Sequence, residues 1–555
     1  MTPDLLAEAV AAAVRAAVAD GDLALAPADI PADVVIERPR NPEHGDYATN
    51  IAMRLAKPAG RPPREVAQAI AERLVTDPGV ASVDIAGPGF INISVETAAA
   101  GRVVADVVAA GAAFGTSDTL AGQRINLEYI SANPTGPLHL GHTRWAAVGD
   151  AMARVLAAAG AEVGTEFYVN DRGVQMDRFG ASLVAAAHGR PAPSDGYHGG
   201  YIIDLASAIV AEHPEALELS GDDAMEFFRD QGYALQLAQQ QQVLRLFRTE
   251  FDVWYSERHL HDSGAVERGF AALDAAGHTY DSDGAKWLRT SEFGDDKDRV
   301  LVKSDGEMTY FASDSAYYVD KRARGFDVNI YLLGADHHGY VGRLKAIAAC
   351  AGDDPDFNIE VLIGQLVKIY RSGEEVRLSK RAGDIVTLED LVDEVGVDAA
   401  RYSLIRYPAD SPLTLDLDLL VKRTNDNPVF YVQYAHARIS SVLRHAADLG
   451  IDWQSAPFDA SLLGEERERD LIGVIADLPR VVGSAAELRE PHRVARYLEE
   501  LANAYHKFYD SCRVLPRGDE KLTEVGIARL WLCAAARQTL SNGLTMLGVS
   551  APERM

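Results

Sequence analysis

Cysteine is nearly absent, with 3 in 555 residues, and Cys350, Cys512 and Cys533 stand far apart in the chain. That spacing excludes both a disulfide framework and a zinc site built on paired cysteines, and it fits a reducing cytoplasm. No apolar run approaches the roughly 20 residues that a membrane-spanning helix needs. The first residues carry Asp4, Glu8 and Arg15 within a helical pattern, unlike a secretory signal. Basic residues are also short, at 54 Lys and Arg against 82 Asp and Glu, for a formal net charge of −28. Such an acid excess argues against a protein that coats nucleic acid indiscriminately, while a local basic face remains compatible with it. What is present is ordinary for a folded chain, with 47% hydrophobic and 25% charged residues, and the length implies several domains.

The most informative stretch is Asn126-Leu-Glu-Tyr-Ile-Ser-Ala-Asn-Pro-Thr-Gly-Pro-Leu-His-Leu-Gly-His142. Ile125 to Ile130 reads as a short buried strand, broken by the two prolines and the glycine of 133–137. From Thr143, the residues Trp145, Val148, Met152, Val155, Leu156 and Ala159 recur at helical spacing, with Gly160 at the expected C-terminus. His139 and His142 then flank the helix entrance, where free N–H groups and the helix dipole attract phosphate. Gly141 leaves bare backbone for a nucleobase. The plainer reading has His139 as a helix cap and His142 as a partly buried ring.

Residues 1–115 read as an α+β module: helices over 5–18, 46–56 and 64–74, then two strands joined through Gly87-Pro-Gly89. Ala110 to Asp118 reads as a linker. Phe167 to Asp177 is a strand entering a polar turn, and about 180–285 reads as an insertion whose Gln239–Gln242 run is a solvated helix face. The second half brings Thr309 to Asp314, where Tyr310 and Asp314 can face one cavity if a helix begins near Ala312. A buried strand at Val328–Leu333 follows and ends in Gly334-Ala-Asp-His-His-Gly339. Ligands of open parallel sheets bind at the carboxyl ends of strands, so this placement matters. A metal site at Asp336, His337 and His338 is the weaker alternative, since adjacent residues rarely converge. Residues 366–384 read as a hairpin turning at Ser372-Gly373 and running into a basic loop, Arg377-Leu-Ser-Lys-Arg381. Beyond Asp416 the chain reads as helical, with aromatics interleaved with Arg438, Arg444, His506, Lys507 and Arg513. Composition favours a helical bundle there, with stacking on single-stranded RNA as the alternative.

The run from Ser131 to His142 resembles the HIGH signature of class I aminoacyl-tRNA synthetases, in the variant of the arginyl-tRNA synthetases. Arg377 to Arg381 is similar to their KMSKS signature, with Arg377 and Arg381 as departures that keep positive charge. Many arginyl enzymes lack the second lysine and carry a compensating one before the first signature. Gly136 stands at that place here, consistent with Lys380 serving itself. The runs at 41–50, 87–92, 167–177 and 427–439 are similar to the same family, so the resemblance spans the whole chain.

The resemblance implies a Rossmann-like catalytic domain at 116–415 with the insertion, an N-terminal tRNA-elbow domain at 1–115 and a helical anticodon-binding domain at 416–555. It implies ATP-dependent ligation of arginine to tRNA(Arg) through an adenylate, with Mg²⁺ accompanying ATP and no tightly bound metal. A monomer is the family expectation. The catalytic residues carried over are His139, His142 and Lys380. ATP is expected against His139, Gly141, His142, Gly334, Asp336 and Lys380, and arginine against Glu128, Asn133, His139, Tyr310, Asp314 and His337. The rivals are a shorter nucleotidyltransferase with the same His-x-Gly-His fold, and a tRNA-binding paralogue without catalysis.

Overall fold

A computed structural model of the chain describes all residues except 32, 33, 40, 42, 43, 376–385 and 519. Lys380 and its flanking arginines therefore lie outside the described residues.

The centre is a parallel five-stranded sheet. In chain order its strands are Arg124–Glu128, Glu162–Val169, Val253–Ser256, Val328–Gly334 and Ile359–Gly364. The first strand lies in the middle, with the second and third on one side and the fourth and fifth on the other. Chain direction across the sheet therefore reverses beside the 124–128 strand, and such a switch point opens a crevice at the carboxyl ends. One face of these strands is apolar, with Ile125, Leu127, Ile330 and Phe167 fully buried, while the other carries the buried polar side chains Asn126, Glu128, Glu166 and Asn329.

The first strand ends at Glu128, two residues earlier than the apolar run suggests, because Ile130 and Ser131 take positive φ of 70° and 45°. A β-branched residue in that region is strained, and such strain gathers where a site needs an abrupt turn. The Ser131 hydroxyl secures the turn, donating to Glu128 at 3.0 Å and accepting from the Tyr168 N–H at 3.1 Å. The helix that follows spans Leu140–Ala158, three residues longer at its start than the apolar periodicity indicates.

The segment expected to be a single insertion is two excursions. Helices Val174–Ala187, Gly200–Glu212 and Gly221–Leu246 form one, with its own small core around Phe179, Leu205 and Phe228. The chain then returns to the sheet as the 253–256 strand, too short at four residues to stand out by alternation. The second excursion carries the antiparallel strands Thr279–Ser282, Ala285–Leu288 and Arg299–Val302 before the helix Tyr310–Ala323. That helix starts at Tyr310 rather than Ala312, with Thr309 as its cap.

Near the N-terminus, helices Pro3–Ala19, Ile51–Ala59 and Pro63–Leu74 cover a three-stranded antiparallel sheet around a separate core, Leu6 to Val95. Tyr47–Thr49 is a strand of this sheet, so the helix read over 46–56 begins later. Thr97–Ala110 packs instead on the C-terminal bundle, with Val103, Val104 and Val107 in the main core. That bundle comprises Pro428–Asp448, Glu466–Ala476, Leu478–Glu487, His492–Ser511 and Glu524–Met546. Ser372 and Gly373 turn the expected hairpin with φ of 52° and 80°.

Candidate active site

At the switch point the two histidine rings lie against each other, tilted by 30° with centroids 3.8 Å apart. His139 caps the helix, its Nδ1 accepting from the Gly141 N–H at 3.1 Å, and His142 Nδ1 accepts from the His139 N–H at 3.3 Å. The plainer reading of His139 as a cap is thus part of the geometry, and it has a chemical consequence. With Nδ1 an acceptor in both rings, the proton of each neutral imidazole sits on Nε2, free to donate elsewhere. Burial keeps them neutral: it lowers His139 and, together with His139 itself, pushes His142 down to about 3. A Cβ on Gly141 would lie 2.9 Å from His139 Cε1, so that glycine makes room for the capping ring.

The other residues expected at the nucleotide lie at the end of the 328–334 strand. Gly334 closes it, and Asp336 and His337, both exposed, form a 3.4 Å pair on the next turn. No group of three His, Cys, Asp or Glu is placed to hold a metal among the described residues.

The second half of the site is acidic and lies at the carboxyl ends of the middle strands. Asp314, one turn into its helix, accepts a hydrogen bond from the Tyr340 hydroxyl. Burial, reinforced by the Glu128 charge, pushes its carboxyl up to about 6 against that bond. Glu257, buried at the end of the 253–256 strand, is raised to about 7 by burial and then by the Asp314 charge. Arg172 acts on Glu257 in the opposite sense, and a further cation near either carboxyl would favour its charged form. Glu257 was missed because its segment reads as insertion; the signal available was the Ser256 cap of a short helix after Val-Trp-Tyr.

Glu128 is committed elsewhere. Its carboxylate pairs with the fully buried Lys321 at 2.6 Å, and that ammonium also faces the Tyr331 ring at 4.1 Å. Asn133 is exposed and donates to Gln175 at 2.6 Å. Tyr310, 73% exposed, stands over Gly173, where an added Cβ would come within 3.6 Å of its hydroxyl. The loop 170–173 is fixed by Asp171, which accepts from the Ser256 hydroxyl at 2.6 Å and the Arg258 N–H at 3.0 Å. Glu257 is thereby held at the site.

The Gln-rich helix is not simply a solvated face. Gln240 is 2% exposed and donates to the carbonyls of Asn133 at 3.0 Å and Gly136 at 2.8 Å. It ties down the loop whose prolines and glycine leave few backbone partners of their own.

Comparison with known proteins agrees with this arrangement. Residues 4–95 match the arginyl tRNA synthetase N terminal domain, 220–408 the class I (R) tRNA synthetase catalytic domain, and 432–555 the DALR anticodon binding domain. Arginine–tRNA ligases of Kineococcus radiotolerans and Frankia alni are each 58% identical over 555 residues, covering all of both chains. The fold matches the Thermus thermophilus arginyl-tRNA synthetase with a TM-score of 0.77 at 23% identity over both whole chains. It matches the Plasmodium falciparum enzyme at 0.75 and 15%, again over both whole chains. Class I architecture, paired imidazoles at a helix entrance and full-length identity together make this chain a member of the arginyl-tRNA synthetase family.

Proposed function

We propose that the chain ligates L-arginine to tRNA(Arg) for protein synthesis, using ATP and passing through an arginyl-adenylate. The observation that carries arginine as the substrate is the acidic pair Asp314 and Glu257, two carboxyls whose ionisation burial opposes. A guanidinium is always charged and pairs best with carboxylates, so its entry favours the ionised form of both.

The arginine carboxylate attacks the α-phosphorus of ATP in line, and pyrophosphate leaves with the electron pair of the broken P–O bond. Such a transfer needs positioning and neutralisation of spread charge more than covalent help. His139 and His142 donate from Nε2 to the α-phosphate oxygens. Lys380 serves the β- and γ-phosphates, an assignment made on sequence alone. Each contact contributes about 3 kcal/mol in the transition state, by analogy with single oxyanion donors. Gly334 and Asp336 take the nucleoside side. Asn133, Tyr310 and His337 border the arginine. Glu128, neutralised by Lys321, shapes the pocket without meeting the guanidinium directly. Mg²⁺ travels with ATP on phosphates and water, and no protein ligand is assigned to it. A ribose hydroxyl of the terminal tRNA adenosine, the 2′-OH, then attacks the adenylate carbonyl and releases AMP. We take the enzyme to work as a cytoplasmic monomer.

ATP–pyrophosphate exchange across the amino acids, with and without tRNA, tests the reading. Exchange with arginine alone, and only when tRNA is present, is expected. Exchange with arginine in the absence of tRNA would revise the coupling, and no exchange with any amino acid would sink the activity.

A further inference from the structure

The helix that carries His142 also carries a buried cation with no counter-charge beside it. Arg144, two positions on, is 2% exposed and forms no ion pair among the described residues. Its guanidinium donates instead to three carbonyls, those of Ser411 at 2.6 Å, Pro408 at 2.7 Å and Gln365 at 3.2 Å, and its Nε is buried without a partner. The Asp410 charge favours the cation, yet burial outweighs it and lowers the group to about 10, so it stays charged at neutral pH. Burying a charge against neutral dipoles alone costs free energy, and an apolar side chain of similar volume would avoid that cost.

What the guanidinium supplies is reach in several directions from one rigid plane. Gln365 precedes the strand Val367–Arg371, while Pro408 and Ser411 precede its parallel partner Leu413–Asp416. Arg144 therefore ties the helix to the approaches of both strands at once. The next residue adds to the same seat: a Cβ on Gly364 would lie 2.5 Å from Trp145 Cζ2, so the indole rests on bare backbone at the end of the central sheet. On the other side, the Leu140 N–H donates to the Val386 carbonyl and the Leu388 N–H to that of Leu138, each at 2.8 Å. At about 100° per residue, Arg144 stands roughly 200° round the helix from His142, away from the substrate. We propose, on the basis of the ligase function above, that Arg144 is a positioning residue for adenylate formation, seating the helix entrance so that Nε2 of His139 and of His142 meets the α-phosphate.

Pyrophosphate exchange by Arg144→Met in the full-length protein, with kcat counted per arginine site from titration calorimetry, tests this role. A misplaced entrance is expected to lower kcat at least about tenfold while the arginine KM stays within about twofold. Arg144→Lys keeps the charge but not the fork, and is expected to recover part of that loss while staying at least about threefold below the wild-type chain. A role in stability alone would lower the number of arginine sites and leave kcat per site intact. Smaller falls than these, an arginine KM that rises as kcat drops, or equal kcat in the two variants would overturn the proposal. Should Arg144→Met not fold, Arg144→Lys decides by its own criterion. No exchange by the wild-type chain would overturn the ligase function and this role together, whereas wild-type exchange undiminished in the variants would overturn this role alone.

Discussion

Asp314 and Glu257 ionise less readily than ordinary carboxyls in the free protein, at about 6 and about 7. Their folded values are raised, so from the ordinary carboxylate range upward the folded state holds more protons than the unfolded one. Stability contributed by the pair falls as pH rises through about 6 and about 7. A bound guanidinium reverses this, since it favours both charges. The thermal stabilisation conferred by arginine should therefore be larger at pH 8 than at pH 6, and Asp314→Asn should shrink that difference; differential scanning calorimetry reads both. In steady-state exchange, Asp314→Asn and Glu257→Gln should each raise the arginine KM by about tenfold or more with the ATP KM little changed. Equal rises in both constants would move the arginine pocket elsewhere. Lys321 belongs to the same scale. Replacing it with Met strands the buried Glu128 carboxylate, and a loss of about 3–5 kcal/mol is expected in urea unfolding.

Among elements, the loop 129–139 depends on its neighbours more than on its own sequence. Strain at Ile130 and Ser131 aims it, the His139 cap starts its helix, and Gln240 satisfies its carbonyls from another helix. Gln240→Leu keeps volume but removes both donors, leaving two carbonyls under-satisfied at about 1–3 kcal/mol each. Because those carbonyls precede His139, kcat in pyrophosphate exchange should fall more than arginine binding does. Lys380→Ala makes a contrasting case: it too should lower kcat with arginine affinity largely kept, yet leave unfolding in urea unchanged.

Across the whole molecule, two arginines join the nucleotide fold to the C-terminal bundle. Arg401 is fully buried; it pairs with Asp150 of the 140–158 helix and donates to the carbonyls of Phe247 at 2.9 Å and Leu547 at 3.1 Å. Arg489, at a positive φ of 57°, grips Glu360 of the central sheet through contacts of 3.0 and 2.9 Å. Arg401→Met leaves Asp150 with Arg154 alone, at 2.8 Å, and removes the donor of the Phe247 and Leu547 carbonyls, at a cost of about 1–3 kcal/mol per carbonyl in chemical unfolding. Arg489→Ala, at a partly exposed pair, should cost far less while loosening the bundle, an effect visible as faster hydrogen exchange across 359–364 and 478–487.

The order of domains, the strand–loop–helix around His139 and the helical C-terminal quarter were legible in the sequence, because periodicity, prolines and short motifs are local signals. Glu128, Asn133, His139, Tyr310, Asp314 and His337 are proposed for arginine through the family resemblance, and the structure pairs the first of them with Lys321. Tertiary structure decided the rest. A four-residue strand at 253–256 has too little periodicity to declare itself, yet by joining the sheet it carries Glu257 to Asp314. Lys321 and Glu128 are 193 positions apart and meet only because two crossovers bring their elements together. Gln240 looks solvated until the 133–137 loop folds against it. Local sequence sets which elements form and where they stop; which charges are neutralised, and which remain for the substrate, follows from pairings that exist only once the sheet is assembled.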